Sequence, residues 1–98
     1  MLDGFTPSTF SPHLGSRFRV PLGAADALEL ELVEVKGLGT VAGPRQEPFS
    51  LLFRGGPRDR YLPQSTYRLE HAEMGSFELF LVPLGADEVA MRYEAVFN

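Results

Sequence analysis

Short runs in which apolar and polar residues alternate dominate this chain. In the segment 27–32, leucines at 28, 30 and 32 alternate with Glu29 and Glu31. Because successive side chains of a strand point to opposite faces, this period of two predicts a β-strand with one buried face. Comparable runs recur at 17–22, 49–54, 66–71, 77–82 and 91–97. The pattern therefore predicts about six strands.

The first two runs have complementary polar faces. Arg17 and Arg19 alternate with apolar residues in one run, and Glu29 and Glu31 do so in the next. Opposite charges on facing positions stabilise paired strands, so the two runs predict a hairpin with its turn at 23–26. The alternation changes phase at the neighbouring apolar residues Leu32 and Val33, which predicts a β-bulge there.

Short connections between the runs favour an antiparallel, all-β fold, either a sandwich or an open barrel. No connection is long enough for the helices of a parallel sheet. We predict a single domain over 1–98, with an N-terminal clasp at 1–15 and a β body at 16–98. The pairs Thr6-Pro7 and Ser11-Pro12 predict two short helical turns in the clasp. An open barrel would leave two edge strands as attachment points.

The last two runs differ in pattern. The run 77–82 is apolar at nearly every position, which predicts a central strand covered on both faces by the other sheet, the clasp or a neighbouring subunit, and then a turn at 83–87. The run 91–97 alternates strictly. Its predicted buried face carries Met91, Tyr93, Ala95 and Phe97.

Composition narrows the range of functions. The chain has 98 residues and a net charge of −4, which opposes nonspecific attraction to nucleic acid or to an anionic membrane. It has no cysteine, so disulfides, thiolate catalysis and thiolate zinc sites are excluded. The start lacks the basic and apolar regions of a signal peptide, and no stretch has the length of a membrane span, so we expect a cytoplasmic protein. No cofactor motif is present, and we predict no metal site.

An arginine-rich loop is the most distinctive candidate site. Arg54, Arg58 and Arg60, with Tyr61, lie in or beside the glycine-rich segment 55–63. Such a cluster could hold a phosphate, a carboxylate or an acidic strip of a protein partner, with the tyrosine as an amphipathic anchor. Solvated arginines, partly neutralised by Asp59, are the alternative.

Two further hypotheses involve His71. In the first, Tyr67, His71 and Tyr93 place polar atoms in an apolar cavity of a small-ligand-binding barrel or sandwich. In the second, His71 acts as the base of a hydrolase, which requires a carboxylate beside it and a hydroxyl within hydrogen-bonding reach. A structural, hydrogen-bonded histidine is the simpler interpretation, and no nucleophile motif accompanies it.

Several segments resemble an uncharacterised family of small single-domain bacterial proteins. The resemblance rests on Phe49–Gly55, Leu62–Gln64, Thr66–His71 and Met91–Asn98, and extends to Phe10, Leu14-Gly15 and Phe18 near the start. The family implies no catalytic residues. It implies a weak association with proteins that carry phage tail-collar-like domains, and hence an accessory part in a tail-like assembly.

These observations favour a non-enzymatic structural or adaptor module. We expect it to self-assemble or to dock onto a protein partner through Arg54, Arg58, Arg60 and Tyr61, with no nucleic acid and no membrane as partner. The alternative is the ligand-binding barrel or sandwich.

Overall fold

The computed structural model describes residues 5–23, 26–37, 48–59 and 61–97. A short helix, α1 (Pro7–Phe10), and a 3₁₀ helix (Ser11–His13) precede six strands. None of the described helices has the length and apolar character needed to cross a membrane. The strands are β1 (Arg17–Pro21), β2 (Ala27–Gly37), β3 (Phe49–Gly55), β4 (Ser65–His71), β5 (Gly75–Ala86) and β6 (Met91–Phe97).

The six strands form a closed antiparallel barrel in the order β1-β2-β3-β6-β5-β4. This confirms the predicted all-β, six-stranded antiparallel fold. Closure comes from the pairing of β1 with β4 at Arg19 and Glu70, whose side chains also form an ion pair of 3.1 Å. Because the described strands close on themselves, the edge strands of an open barrel are not available for attachment.

The register of β1, β2 and β3 follows the pattern of charges and the change of alternation in the sequence. Arg17 faces Glu31 and Arg19 faces Glu29 across the β1–β2 hairpin, as predicted. The register of β2 against β3 shifts between Leu32 and Glu34, which confirms the predicted bulge at Val33. The bulge keeps Leu32 and Val35 on the inner side while the glutamates remain outside.

The interpretation of the fifth run is corrected in two respects. Leu79 and Leu81 are buried, but Phe80 between them points outward and is 46% exposed, so no described part of this chain covers the outer face of β5, and cover by a neighbouring subunit stays a prediction. The predicted turn at 83–87 is mostly strand, because β5 continues to Ala86 through a second register shift between Pro83 and Gly85. A bulge tolerates a proline, which cannot donate a ladder hydrogen bond.

The interior is filled by the inward faces of the strands and by the clasp. Phe10 of α1 is fully buried, and Phe5 meets the rings of Phe10, Phe77 and Phe97 at 5.2–6.0 Å. Leu14, by contrast, is 50% exposed. The clasp closes one end of the barrel, here called the clasp end.

The opposite end is organised by the connection between β3 and β4. These strands are not neighbours in the barrel, so the segment that joins them, described at 56–59 and 61–64, crosses this end of the barrel. On the way, the Leu62 N–H donates to the Tyr93 hydroxyl of β6 at 2.8 Å. We call this the pocket end, because the crossing segment and the β1–β2 hairpin leave an open pocket between them.

Candidate functional site

The pocket has a volume of about 440 Å³. Its walls come from three parts of the fold: the β1–β2 hairpin, the crossing segment and the start of β6. The lining residues are Leu22, Asp26, Ala27, Leu28, Gly56, Pro57, Tyr61, Leu62 and Tyr93. A pocket of this size and apolar character falls within the range of roughly 300–1,000 Å³ typical of ligand sites.

The rim of the pocket end is unusually apolar for a surface. Leu22 and Tyr61 line the pocket and are 46% and 62% exposed, and Leu84 and Val89 are exposed at the same end of the barrel, on β5 and in the β5–β6 turn. Among the described residues, the other exposed large apolar side chains lie on the barrel wall (Phe80 and Val96) or at the clasp end (Leu14). Exposed apolar side chains that cluster in one place mark interaction sites more often than scattered ones do.

Tyr93 connects the core to the pocket. Its ring is 1% exposed, while its hydroxyl accepts the Leu62 N–H and so fixes the crossing segment. Burial raises the pKa of the Tyr93 hydroxyl, partly opposed by this hydrogen bond, so the group stays neutral at physiological pH. Tyr67 supports the same segment, since its hydroxyl donates to the Pro63 carbonyl at 2.6 Å.

Two residues of the predicted arginine cluster, Arg54 and Arg58, meet at Asp87, and partners within the chain engage both. Arg54 lies 3.2 Å from Asp87 and 3.9 Å from Glu31, so its charge is already compensated within the chain. The Arg58 Nε donates to the Asp87 carbonyl at 2.7 Å, and Tyr61 lies on the pocket rim. Arg60 lies outside the described residues. Of this cluster, Tyr61 alone among the described members lines the pocket.

Asp87 joins Arg54 to the β5–β6 turn. Its carboxylate accepts the Val89 and Ala90 N–H groups, each at 2.8 Å, as well as Arg54. The backbone hydrogen bonds from Ala90 and Val89, with a smaller contribution from Arg54, lower the Asp87 pKa to about 2. Asp87 therefore stays ionised and holds Arg54 and the β5–β6 turn together.

The three residues of the ligand-binding alternative do not converge on one cavity. Tyr67 and Tyr93 both contact the crossing segment at the pocket end, whereas His71 ends β4 at the clasp end. Tyr93 is the one of the three that lines the pocket. His71 instead contacts the rings of Phe18 and His13, with centroids 4.5 and 4.7 Å away.

His71 does lie close to a hydroxyl, as the hydrolytic hypothesis requires. Its Nε2 is 3.0 Å from the Ser16 Oγ. However, its Nδ1 accepts the N–H groups of Glu73 and Met74, so the ring proton must lie on Nε2. Nε2 therefore donates to Ser16, whose own proton goes to the His13 carbonyl at 2.6 Å. In this arrangement His71 cannot accept the serine proton, and the network fastens the clasp.

Metal-ligating side chains do not gather elsewhere in the part of the chain that the structure describes. No group of three or more His, Asp or Glu residues there could hold an ion. His13 Nδ1 approaches Glu73 at 3.5 Å, but this pair stands with His71 in the clasp network.

The sequence profile of the family described as Domain of unknown function (DUF6916) matches residues 5–97. The chain belongs to this family. The match confirms the predicted membership of an uncharacterised family, and it carries no link to tail-collar proteins. No curated protein and no solved structure matches the chain.

Sequence reasoning found Tyr61 and Tyr93 but missed most of the pocket. Leu22, Asp26 and Leu28 were assigned to a hairpin and its turn, with no reason to meet residues thirty positions away. Two signals were available: the apolar character of Tyr61 in a segment otherwise typical of turns, and the position of the apolar Leu22 at the end of its run, next to the turn.

Proposed function

We propose that this member of the family is a non-enzymatic adaptor module that binds another protein at its pocket end. The observation that carries the proposal is the concentration of exposed apolar side chains, led by Tyr61 and Leu22, around a pocket of about 440 Å³. Tyrosine is enriched among the residues that dominate binding energy, because it supplies a large rigid contact at low entropic cost.

Barrel closure favours docking over strand exchange. Self-assembly through free strand edges loses its basis when the described strands form a closed barrel. A concave pocket with a raised apolar rim is instead complementary to a protruding segment of a different chain. The occupant we propose is therefore a second protein rather than a copy of this one.

The experiment compares two surfaces of equal exposure. Leu22 and Phe80 are each 46% exposed, but Leu22 lies at the pocket end and Phe80 on the barrel wall. A photo-crosslinking amino acid is placed at 22, 61 or 80 in cells that naturally make the protein, and the protein crosslinked from 22 and 61 is then purified. Its affinity is measured by titration calorimetry for the wild type, Leu22→Ser, Tyr61→Ser and Phe80→Ser.

We expect each pocket-end variant to weaken binding by about 2 kcal/mol, roughly thirtyfold, and Phe80→Ser to leave it unchanged. Equal effects of all three substitutions, or an effect of Phe80→Ser alone, contradict the proposal. Light scattering on the purified protein adds a second outcome. A defined oligomer that dissociates on Tyr61→Ser makes a second copy the occupant and overturns the choice of a different protein.

The resemblance to proteins that accompany phage tail-collar-like domains names the first partner to test. We propose that the protein is incorporated into a tail-like assembly through the same surface. Co-expression with a neighbouring tail-collar-like protein and copurification of the two, lost on Tyr61→Ser, supports this. Copurification that persists in the Tyr61→Ser variant contradicts it.

A second candidate function, small-ligand binding, is favoured by Tyr93. The neutral hydroxyl of this buried residue adds a polar group to a largely apolar pocket. A ligand that binds there and protects the wild type against heat, but not Tyr61→Ser, supports this alternative.

A further inference from the structure

The polar groups of the pocket define the chemistry of what enters it. Among the nine described residues that line the pocket, Asp26 is the one that carries a charge. Two aromatic rings, Tyr61 and Tyr93, and three leucines, at 22, 28 and 62, make up most of the remaining wall. A carboxylate beside aromatic rings and aliphatic side chains is complementary to a cation carried on an apolar stem.

The nearby arginines do not reverse this preference. Arg54 is held between Glu31 and Asp87, and Arg58 donates to the Asp87 carbonyl; neither lines the pocket. An anionic group in the pocket would meet Asp26, and none of the described lining residues is a cation that could offset this repulsion. The net charge of −4 likewise attracts a basic partner over long range.

From this lining we infer that the pocket receives a basic side chain, lysine or arginine, of the protein partner. The aliphatic stem packs against Leu22, Leu28 and Leu62, and the cation lies beside Asp26 and against the exposed ring of Tyr61. The volume of about 440 Å³ accommodates such a side chain together with part of its backbone. This inference rests on the proposed docking at the pocket end and specifies its chemistry.

The test uses small probes and does not depend on the partner. Nα-acetyl-lysine amide is titrated into the ¹⁵N-labelled full chain at low salt, in parallel with the norleucine and glutamate derivatives. Norleucine keeps the stem and lacks the ammonium group. Amide shifts of Leu28, Gly56 and Leu62 report on the pocket, and those of Phe80 and Val96 report on the barrel wall.

We expect the lysine derivative to bind at the pocket amides roughly three to twenty times more tightly than the norleucine derivative. Asp26→Asn removes most of this preference, whereas Glu78→Gln, on the barrel wall, preserves it. Tyr61→Leu keeps an apolar wall but weakens lysine binding relative to norleucine. Added salt reduces the lysine preference and leaves norleucine binding unchanged.

Several results overturn the inference. These are equal binding of lysine and norleucine, tighter binding of glutamate, shifts at the barrel wall rather than the pocket, and no binding of any probe. The proposed docking function is judged separately, by the loss of partner binding in Leu22→Ser and Tyr61→Ser. If those variants lose partner binding while the lysine and norleucine derivatives bind equally, the docking site is supported and the inference of a basic side chain in it is wrong.

Discussion

Single hydrogen bonds decide how the pocket end is held, and the Tyr93 hydroxyl is the clearest case. It accepts the N–H of half-buried Leu62, which the crossing segment cannot satisfy from a regular ladder. Tyr93→Phe leaves that N–H unpaired, so we expect the free energy of unfolding to fall by about 1–3 kcal/mol. Urea denaturation followed by far-ultraviolet circular dichroism measures the loss.

Tyr67→Phe is the matched control for this prediction. Tyr67 also bonds to the crossing segment, but its hydroxyl donates to the Pro63 carbonyl where water can replace it. We expect its loss to cost about 0.5–1 kcal/mol. If the two substitutions cost the same, the Leu62–Tyr93 bond is not the special support of the crossing segment.

His71 gives the clasp a defined dependence on pH. Burial lowers the His71 pKa from its ordinary value of 6.5; the neighbouring His13 lowers it further, and Glu73 partly opposes the shift. The unfolded chain therefore binds more protons than the folded one below pH 6.5, and stability must fall as the pH drops through this window. A second proton would also have to enter at Nδ1, where the N–H groups of Glu73 and Met74 already donate.

Denaturation in urea at pH 7.5, 6.5 and 5.5 tests this sign. We expect the wild type to lose stability over this range and His71→Gln, which cannot titrate, to show a flatter profile. A wild type that gains stability toward pH 5.5 contradicts the prediction. Because Phe5 and Phe10 also bury apolar surface at this end, we expect protonation to weaken the clasp without detaching it.

At the level of strands, the alternation of apolar and polar residues predicted those features that are encoded by nearby residues, such as hairpin pairing and a bulge. The Arg17–Glu31 register and the bulge at Val33 were readable because opposite charges and a change of phase are local signals. The run at 77–82 was misread because a continuous apolar stretch does not reveal which residues point inward. Phe80 is exposed there although its neighbours are buried.

The pocket depends on a connection that periodicity does not report. It forms because β3 and β4 are separated in the barrel, so the crossing segment spans one end, where its described residues lie beside the β1–β2 hairpin. Barrel order is set by long-range pairing, so the meeting of Leu22 with Tyr61 had no local signature. The arginine-rich composition of the loop drew attention to Arg54. Its ion pair with Asp87 joins segments that are distant in sequence, so it also had no local signature.

Close packing of β2 and β3 leaves no room for a side chain at Gly55. A Cβ at Gly55, at the end of β3, would clash with the Glu29 carbonyl and lie 3.1 Å from the Leu30 Cα of β2. Both neighbours are backbone and cannot rotate away, so we expect Gly55→Ala to cost about 1–3 kcal/mol. Gly37→Ala, at the end of β2, meets nothing within 4 Å and should change stability by less than about 0.5 kcal/mol. Thermal unfolding of both variants compares them, and similar melting temperatures would contradict the steric argument.

For the whole molecule, the barrel separates a stabilising end from a binding end. A seven-residue strand such as β6 spans roughly 20 Å between them. Phe10 is fully buried at the clasp end, and we expect Phe10→Ala to cost about 3–5 kcal/mol, against less than about 0.5 kcal/mol for the exposed Leu14→Ala. Chemical denaturation measures both, and a large loss in Leu14→Ala would contradict this assignment of the clasp contacts.

The separation of the two ends leads to a reciprocal prediction. Phe5 is half-buried and packs through its ring on the clasp-end aromatics, so Phe5→Leu should lower stability by about 1 kcal/mol while the barrel stays folded. Because no pocket residue is altered, its affinity for the crosslinked partner should equal that of the wild type. Tyr61→Ser should do the opposite, since a 62%-exposed side chain contributes little to folding but much to the rim of the pocket. Unfolding and calorimetric titration of the same two preparations provide the comparison. If Phe5→Leu weakens partner binding as much as Tyr61→Ser does, the clasp end takes part in docking and the division of labour is wrong.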